Sequence, residues 1–131
     1  MELRDKVALV TGGSGDIGGS IARALAASGA DVAISYVGNT EGAISTVNAV
    51  QSLGRRGVTI QLDQRNPASI DKCVGEVLKE FNRLDILVNN AGWNIGIPFR
   101  ELNTLTADIW DRVLETNLRG PYLLARAYKG L

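Results

Sequence analysis

The stretch VALVTGGSGDIGGSIARALAASGA, Val7 to Ala30, decides how the chain begins to fold. Val7 to Val10 is a short apolar run ending in glycines, which suits a strand buried on both faces, and Ile17, Ile21, Ala24 and Leu25 then recur at helical spacing. The stretch reads strand, turn, helix. Its turn, Gly13-Ser14-Gly15-Asp16-Ile17-Gly18, fits G-x-G-x-x-G and stands where that pattern carries meaning, after a buried strand and opening a helix. Without Cβ atoms the backbone turns sharply and comes close to a pyrophosphate, while unpaired N-terminal amides and the helix dipole favour that anion. The competing reading is a glycine turn that serves only close packing of helix on strand.

Working outward, Gly29 ends the first helix and Val32 to Tyr36 forms a second apolar strand. Gly38 and Asn39 turn the chain, and Thr40 is expected to cap a helix to about Leu53 with Ile44, Val47 and Val50 or Gln51 facing inward. Val58 to Leu62 is a third strand ending at Asp63. Asn66 caps a helix with Pro67 at its first position, carrying Ile70, Cys73, Val74, Val77 and Phe81, and Ile86 to Val88 is the fourth strand. Strand followed by helix, with short polar connections throughout, predicts an α/β fold, because parallel strands need crossovers and right-handed crossovers layer helices on the sheet. The expected architecture is a Rossmann-type doubly wound parallel sheet of strand order 3-2-1-4, forming one domain over residues 1–131. That order puts the switch point between strands 1 and 4, so TGGSGDIG and LVNNAG should face one crevice. There Asn89, Asn90, Ala91 and Gly92 suit close contact with an adenosine and with backbone, or form an ordinary strand-end turn. Beyond the loop WNIGIPFRELN, Thr106 caps a helix with Ile109, Trp110, Val113 and Leu114, which continues after a disturbance at Gly120 and Pro121.

Composition narrows the function classes. Lys plus Arg equals Asp plus Glu at 14 each, so no strong field favours nucleic acid or an anionic membrane, and no partner of either kind is expected. The one cysteine, Cys73, sits in an apolar helical pattern and reads as a packed thiol, which fits a reducing compartment. Histidine is absent, which removes Ser-His-Asp and Cys-His schemes along with most zinc sites, so no metal centre is expected. With no visible signal peptide and no apolar run near the ~20 residues of a spanning helix, a cytoplasmic protein is expected.

Taken together, these motifs resemble the short-chain dehydrogenase/reductase family, and within it the reductases related to 3-oxoacyl carrier-protein reductase. The family motif T-G-x-x-x-G-x-G is approximated by Thr11-Gly12-Gly13-Ser14-Gly15-Asp16-Ile17-Gly18, NNAG at Asn89 to Gly92 matches fully, and ETNLRG resembles the segment that carries the catalytic asparagine, here Asn117. The resemblance implies a nicotinamide coenzyme held by Thr11 to Gly18, by Ser35 and Tyr36 at the end of the second strand, by Asp63 at the adenine amino group with Gln64 beside it, and by Asn90, Ala91 and Gly92. Asp16 stands where the family has a glycine. A carboxylate at a phosphate-binding helix start would repel the ligand, so Asp16 is expected to point to solvent while Gly15 admits the pyrophosphate. The residues Ser35-Tyr36-Val37-Gly38 lack the acid that NAD-specific sites place on the ribose hydroxyls, so NADP(H) is favoured over NAD(H). Ser35, Asn39 and Thr40 could donate to a 2′-phosphate.

The family's chemistry also uses a serine, a tyrosine and a lysine four residues after the tyrosine, which lowers a phenol pKa of about 10 toward neutrality. No serine follows Ser69, and no Tyr-x-x-x-Lys occurs. Tyr122 and Arg126 have the spacing of an i,i+4 helix pair. The expectation is an amino-terminal half cut within its fifth helix, in which Asn117 has lost the lysine that its backbone carbonyl reaches through a water. Relatives use the last two helices as a dimer interface, leaving Trp110, Val113 and Leu124 as interface or core and a homo-oligomer as the expected state. Three functions stay open: an oxidoreductase of ketones or secondary alcohols, a dinucleotide-binding module without turnover, or a nonfunctional fragment. Trp93, Asn94 and Ile95 border the substrate space or pack their own loop.

Overall fold

The computed structural model describes residues 2–129. Its sheet is all parallel, with strands β1 (Val7–Val10), β2 (Asp31–Tyr36), β3 (Gly57–Gln61) and β4 (Ile86–Val88) in the order β3-β2-β1-β4. Helices α1 (Asp16–Ala27), α2 (Thr40–Ser52) and α3 (Pro67–Phe81) make the crossovers. After β4 come 3-10 turns over Phe99–Thr104, then α4 (Ala107–Leu114), a π-turn at Glu115–Arg119 and α5 (Gly120–Tyr128).

Alternation along the central strands builds two cores. Val7 and Leu9 of β1 and Ala33 of β2 face α3 and α5, meeting Ile70, Cys73, Val77, Leu124 and Tyr128. Val10, Val32 and Ile34 face the other way, onto Ala22, Ala26, Ala43 and Val50 of α1 and α2. Leu124 is thus core, fully buried, whereas Trp110 is 56% exposed. Because β1 lies between β2 and β4, the chain leaves it toward β2 and later returns on its other side, which opens a crevice at the carboxyl ends of β1 and β4.

Two helix faces differ from the sequence expectation. On α1 the buried stripe is Gly18, Gly19, Ala22 and Ala26, while Ile17 is 72% exposed and Ala24 is exposed. Small residues win because the helix start lies almost on the glycine turn. On α2 the cap is Asn39 rather than Thr40, its side chain accepting from Gly42 N at 3.0 Å. The inward residues there are Ala43, Thr46 and Val50; Ile44 is half exposed. A buried hydrogen bond from Thr46 Oγ1 to Gly13 O, 2.8 Å, fixes that rotation, which differs by one residue, about 100°, from the purely apolar stripe.

Helix α3 follows its sequence signals, with Asn66 capping Ala68 N at 3.0 Å and Pro67 in the first turn. Cys73 is buried on it, 3.9 Å from the Tyr128 hydroxyl of α5. Burial pushes the thiol up to about 11 and raises the Tyr128 phenol as well. A thiolate is the reactive form, so the folded chain at pH 8 should react with a disulfide reagent more than ~100-fold slower than the chain in denaturant. Equal rates in a stopped assay of thiol release would show that α5 does not cover this residue.

Candidate functional site

The glycine turn is held by its neighbours before any ligand arrives. Gly12 N donates to Ser35 Oγ at 3.2 Å and Gly13 N to Ser35 O at 3.0 Å, tying the turn to the end of β2. Gly12 has φ +67°, and a Cβ on Gly18 would lie 2.3 Å from Gly12 O, so helix and turn approach as only glycine allows. Gly19 N is the first α1 amide to close on the turn, onto Gly15 O at 2.8 Å. The amides of Asp16, Ile17 and Gly18 come before it, at the positive end of the helix dipole. At Gly15 an added Cβ would meet nothing nearer than Gly12 O at 3.7 Å, leaving open space beside those amides. A diphosphate fits there both in charge and in room.

The second wall comes from the segment after β4. Thr11 is fully buried, and its Oγ1 accepts from Asn90 N at 3.0 Å and Ala91 N at 2.9 Å while donating to Val88 O at 3.3 Å. Asn90 Nδ2 returns a bond to Thr11 O at 3.1 Å. One hydroxyl therefore bridges the two strand ends, alongside the backbone bond from Thr11 N to Val88 O at 3.0 Å.

Between these walls lies a crevice of about 840 Å³, lined by Gly12, Ser14 to Gly18, Ser35, Tyr36, Asp63, Gln64 and Asn90 to Gly92. Thr11 and Gly13, which the family resemblance implies as coenzyme contacts, are buried and are not part of this lining. Ser35 is 2% exposed with its hydroxyl oxygen accepting from Gly12, so its place is under the turn. Asp16 lines the crevice and is exposed. Asp63 is exposed too, its Oδ1 accepting from Arg65 N at 3.0 Å. Gln64 is 5% exposed and donates Nε2 to Ala91 O and Thr116 O.

Asn117 lies in the π-turn. Its Oδ1 accepts from Trp93 N at 2.8 Å and its Nδ2 donates to Trp93 O at 2.6 Å, so both side-chain atoms clamp one residue of the loop after β4. The disturbance expected at Gly120 and Pro121 falls just before them: Gly120 N bonds Glu115 O, five residues back. Pro121 has no N–H to give the carbonyl four residues earlier, that of Asn117. Arg112 stacks its guanidinium 3.8 Å from the Trp93 ring centroid. Arg65 and Arg112 line the crevice although no sequence motif marked them, and so does Thr116, which stands beside Asn117 in ETNLRG. Arg65 follows Asp63 and Gln64 directly, which is the one available signal for it; Arg112 arrives through the packing of α4, and Thr116 lies in the π-turn. Thr116 Oγ1 is buried with no hydrogen-bond partner among the described residues.

A glycine turn and open helix start at the switch point of a parallel sheet define a Rossmann-type α/β fold. The chain belongs to the short-chain dehydrogenase family, whose model it matches over residues 6–129. It is 40% identical over 126 residues to the hydroxynaphthalene reductase arp2 of Aspergillus fumigatus, covering 96% of this chain and 45% of that protein. Versicolorin reductase stcU of Emericella nidulans is 38% identical over 130 residues, 98% of this chain and 48% of that one. Among solved structures, a short chain dehydrogenase from Burkholderia cenocepacia in complex with NADP superposes with a TM-score of 0.92 at 42% identity, over 98% of this chain and 51% of that chain. A blue fluorescent protein from a metagenomic library in complex with NADPH gives 0.90 at 37% identity, over 98% and 52%. The chain spans about half the length of the curated relatives it matches.

Among the described residues, no helix is long and apolar enough to cross a membrane.

Proposed function

We propose that this chain is the coenzyme-binding half of an oxidoreductase that moves hydride between NADP(H) and a small ketone or secondary alcohol. The observation that carries the reading is the row of α1 amides before Gly19 N, opening at Gly15 into the switch-point crevice. The amides of Asp16 to Gly18 hold the diphosphate, and Asp63 takes the adenine amino group. When bound, the nicotinamide supplies the carbon that gives or accepts hydride. Preference for NADP(H) is supported by the end of β2, where Ser35 to Asn39 contains no carboxylate to repel a 2′-phosphate. Relatives known with NADP or NADPH point the same way.

Proton transfer needs a group this sequence does not offer in the family's pattern. The Tyr122 ring lies under Arg126, 5.4 Å from the guanidinium carbon, on an exposed helix face, and Asn117 is occupied with Trp93. The chain alone is therefore expected to bind coenzyme without turnover, which is also the behaviour of a non-catalytic dinucleotide module. A homo-oligomer is part of the proposal, supported by the exposed Trp110, Leu118 and Tyr122 on α4, the π-turn and α5. The buried free thiol of Cys73 supports a reducing, cytoplasmic setting.

Calorimetric titration of the 131-residue chain tests the core of this. NADPH should bind with a dissociation constant below ~1 mM and more tightly than NADH, with no NADPH oxidation on a panel of ketones. No heat from either coenzyme at millimolar concentration would remove the proposed function. Turnover of any ketone would instead remove its non-catalytic half.

A further inference from the structure

We infer that Gln64 is a positioning residue for the crevice, resting on the reading that the crevice takes the coenzyme: its amide sets the distance between the loop after β4 and the π-turn that clamps Trp93. Gln64 stands just past β3, beside Asp63, and is 5% exposed. Its Nε2 spans two carbonyls from different parts of the chain, Ala91 O at 3.4 Å and Thr116 O at 2.5 Å. An amide NH2 has two hydrogens, so both are committed, one to each wall. The fit is close on the other side as well. A Cβ on Gly120 would lie 2.9 Å from Gln64 Cγ and 3.0 Å from Gln64 Cβ, so the first residue of α5 is bare where Gln64 passes.

Two further links join the same segments, Arg119 Nη2 to Arg65 O at 2.6 Å and Arg65 to Glu115 at 3.2 Å. Both are exposed, where ion pairs contribute little, whereas the Gln64 side chain is buried and its bonds are part-buried, which makes them costlier to leave unmade. From the π-turn the connection continues through Asn117 to both backbone polar atoms of Trp93. The adenine side of the crevice, at Asp63, is thus joined through Gln64 and the π-turn to its far side, at Gly92 and Trp93.

The test compares the 15N-labelled full chain with Gln64→Met and Gln64→Glu, reading NADPH affinity from pH 5 to 8 and the Trp93 and Asn117 amide resonances without coenzyme. Gln64→Met keeps the volume and removes both donors. It should weaken NADPH roughly tenfold at every pH relative to the unmodified chain and shift the Trp93 and Asn117 signals. In Gln64→Glu the introduced carboxyl faces two carbonyl oxygens in a buried place, so its pKa rises above the ordinary value of about 4.3. Protonated, it donates to one of them; ionised, it repels both. Its NADPH affinity should lie within about threefold of the unmodified chain at pH 5 and fall at least tenfold below it at pH 8. A general packing defect would not recover on acidification. The inference is overturned if Gln64→Met binds normally with unmoved resonances, or if the deficit of Gln64→Glu does not change with pH. Should Gln64→Glu unfold at pH 8, Gln64→Met decides alone. If the unmodified chain takes up no NADPH, the proposed function fails, and the resonance shifts of Gln64→Met still decide the inference.

Discussion

Gly18→Ala should remove coenzyme binding and about 3 kcal/mol of stability together. The added methyl would stand 2.3 Å from Gly12 O, 2.7 Å from Asn90 Nδ2 and 2.9 Å from Gly12 C. Two of these are backbone atoms of a turn already fixed by Ser35 and by Thr46, so no side-chain rotation relieves the clash. Helix α1 must move off β1, carrying the amides of Asp16 and Ile17 with it, and NADPH affinity should drop by roughly a hundredfold or more. Gly15→Ala separates the two effects. Its Cβ meets nothing closer than 3.7 Å and its φ of −89° suits alanine, so thermal stability should stay within about 0.5 kcal/mol of the unmodified chain. Binding should still be lost, because the methyl occupies the space left for the diphosphate. Urea midpoints and calorimetry on the two variants check both halves. A Gly15→Ala chain that binds NADPH normally would move the ligand away from the start of α1.

The fold was legible where local chemistry and burial agree. Strands β1 and β4 run over the residues expected, β2 begins one residue earlier at Asp31, and β3 is displaced by one, to Gly57–Gln61. Apolar β-branched runs between turn residues carry that information along the chain itself. Asn66 and Pro67, and Thr106, likewise signal helix starts through contacts within a few residues. The α2 face was not legible, because Thr46 is turned inward by an oxygen of Gly13, thirty-three positions away. Hydrophobicity alone selects Ile44 for that place.

The site divides in the same way. Its glycine turn and the Asn90 to Gly92 segment line one crevice, as a switch point between strands 1 and 4 requires. What the sequence does not distinguish is a residue that touches a ligand from one that holds the residue that does. Ser35 carries a hydroxyl expected to donate to a phosphate and Thr11 opens the glycine motif, and the hydroxyl oxygens of both accept from backbone amides. Asn117 is marked by the resemblance of ETNLRG to the family's catalytic segment, and in the structure its side chain bonds the amide and carbonyl of Trp93, twenty-four residues earlier. Such pairings depend on how two distant segments pack, and no periodicity encodes them.

Thr11→Val tests whether holding the walls matters as much as lining them. Valine has nearly the same shape, so the core around Val10 and Val88 stays filled and only the hydroxyl is lost. Asn90 N keeps a bond to Val88 O at 3.0 Å, but the amide of Ala91, bonded to Thr11 Oγ1 at 2.9 Å, has no second acceptor among the described residues. An amide buried without a partner costs about 1–3 kcal/mol, and the chain can avoid that cost only by lifting Ala91 away from β1 toward water. That movement would pull on Gln64, whose amide donates to Ala91 O, and widen the crevice on the side opposite the glycine turn. Stability should therefore fall by about 2 kcal/mol and NADPH affinity by roughly tenfold, although Thr11 itself is fully buried and does not line the crevice. Thr11→Ser retains the acceptor and should restore most of both. Were Thr11→Val to lose stability while binding NADPH unchanged, the strand ends would be spaced by the sheet alone and the hydroxyl would have no part in forming the site.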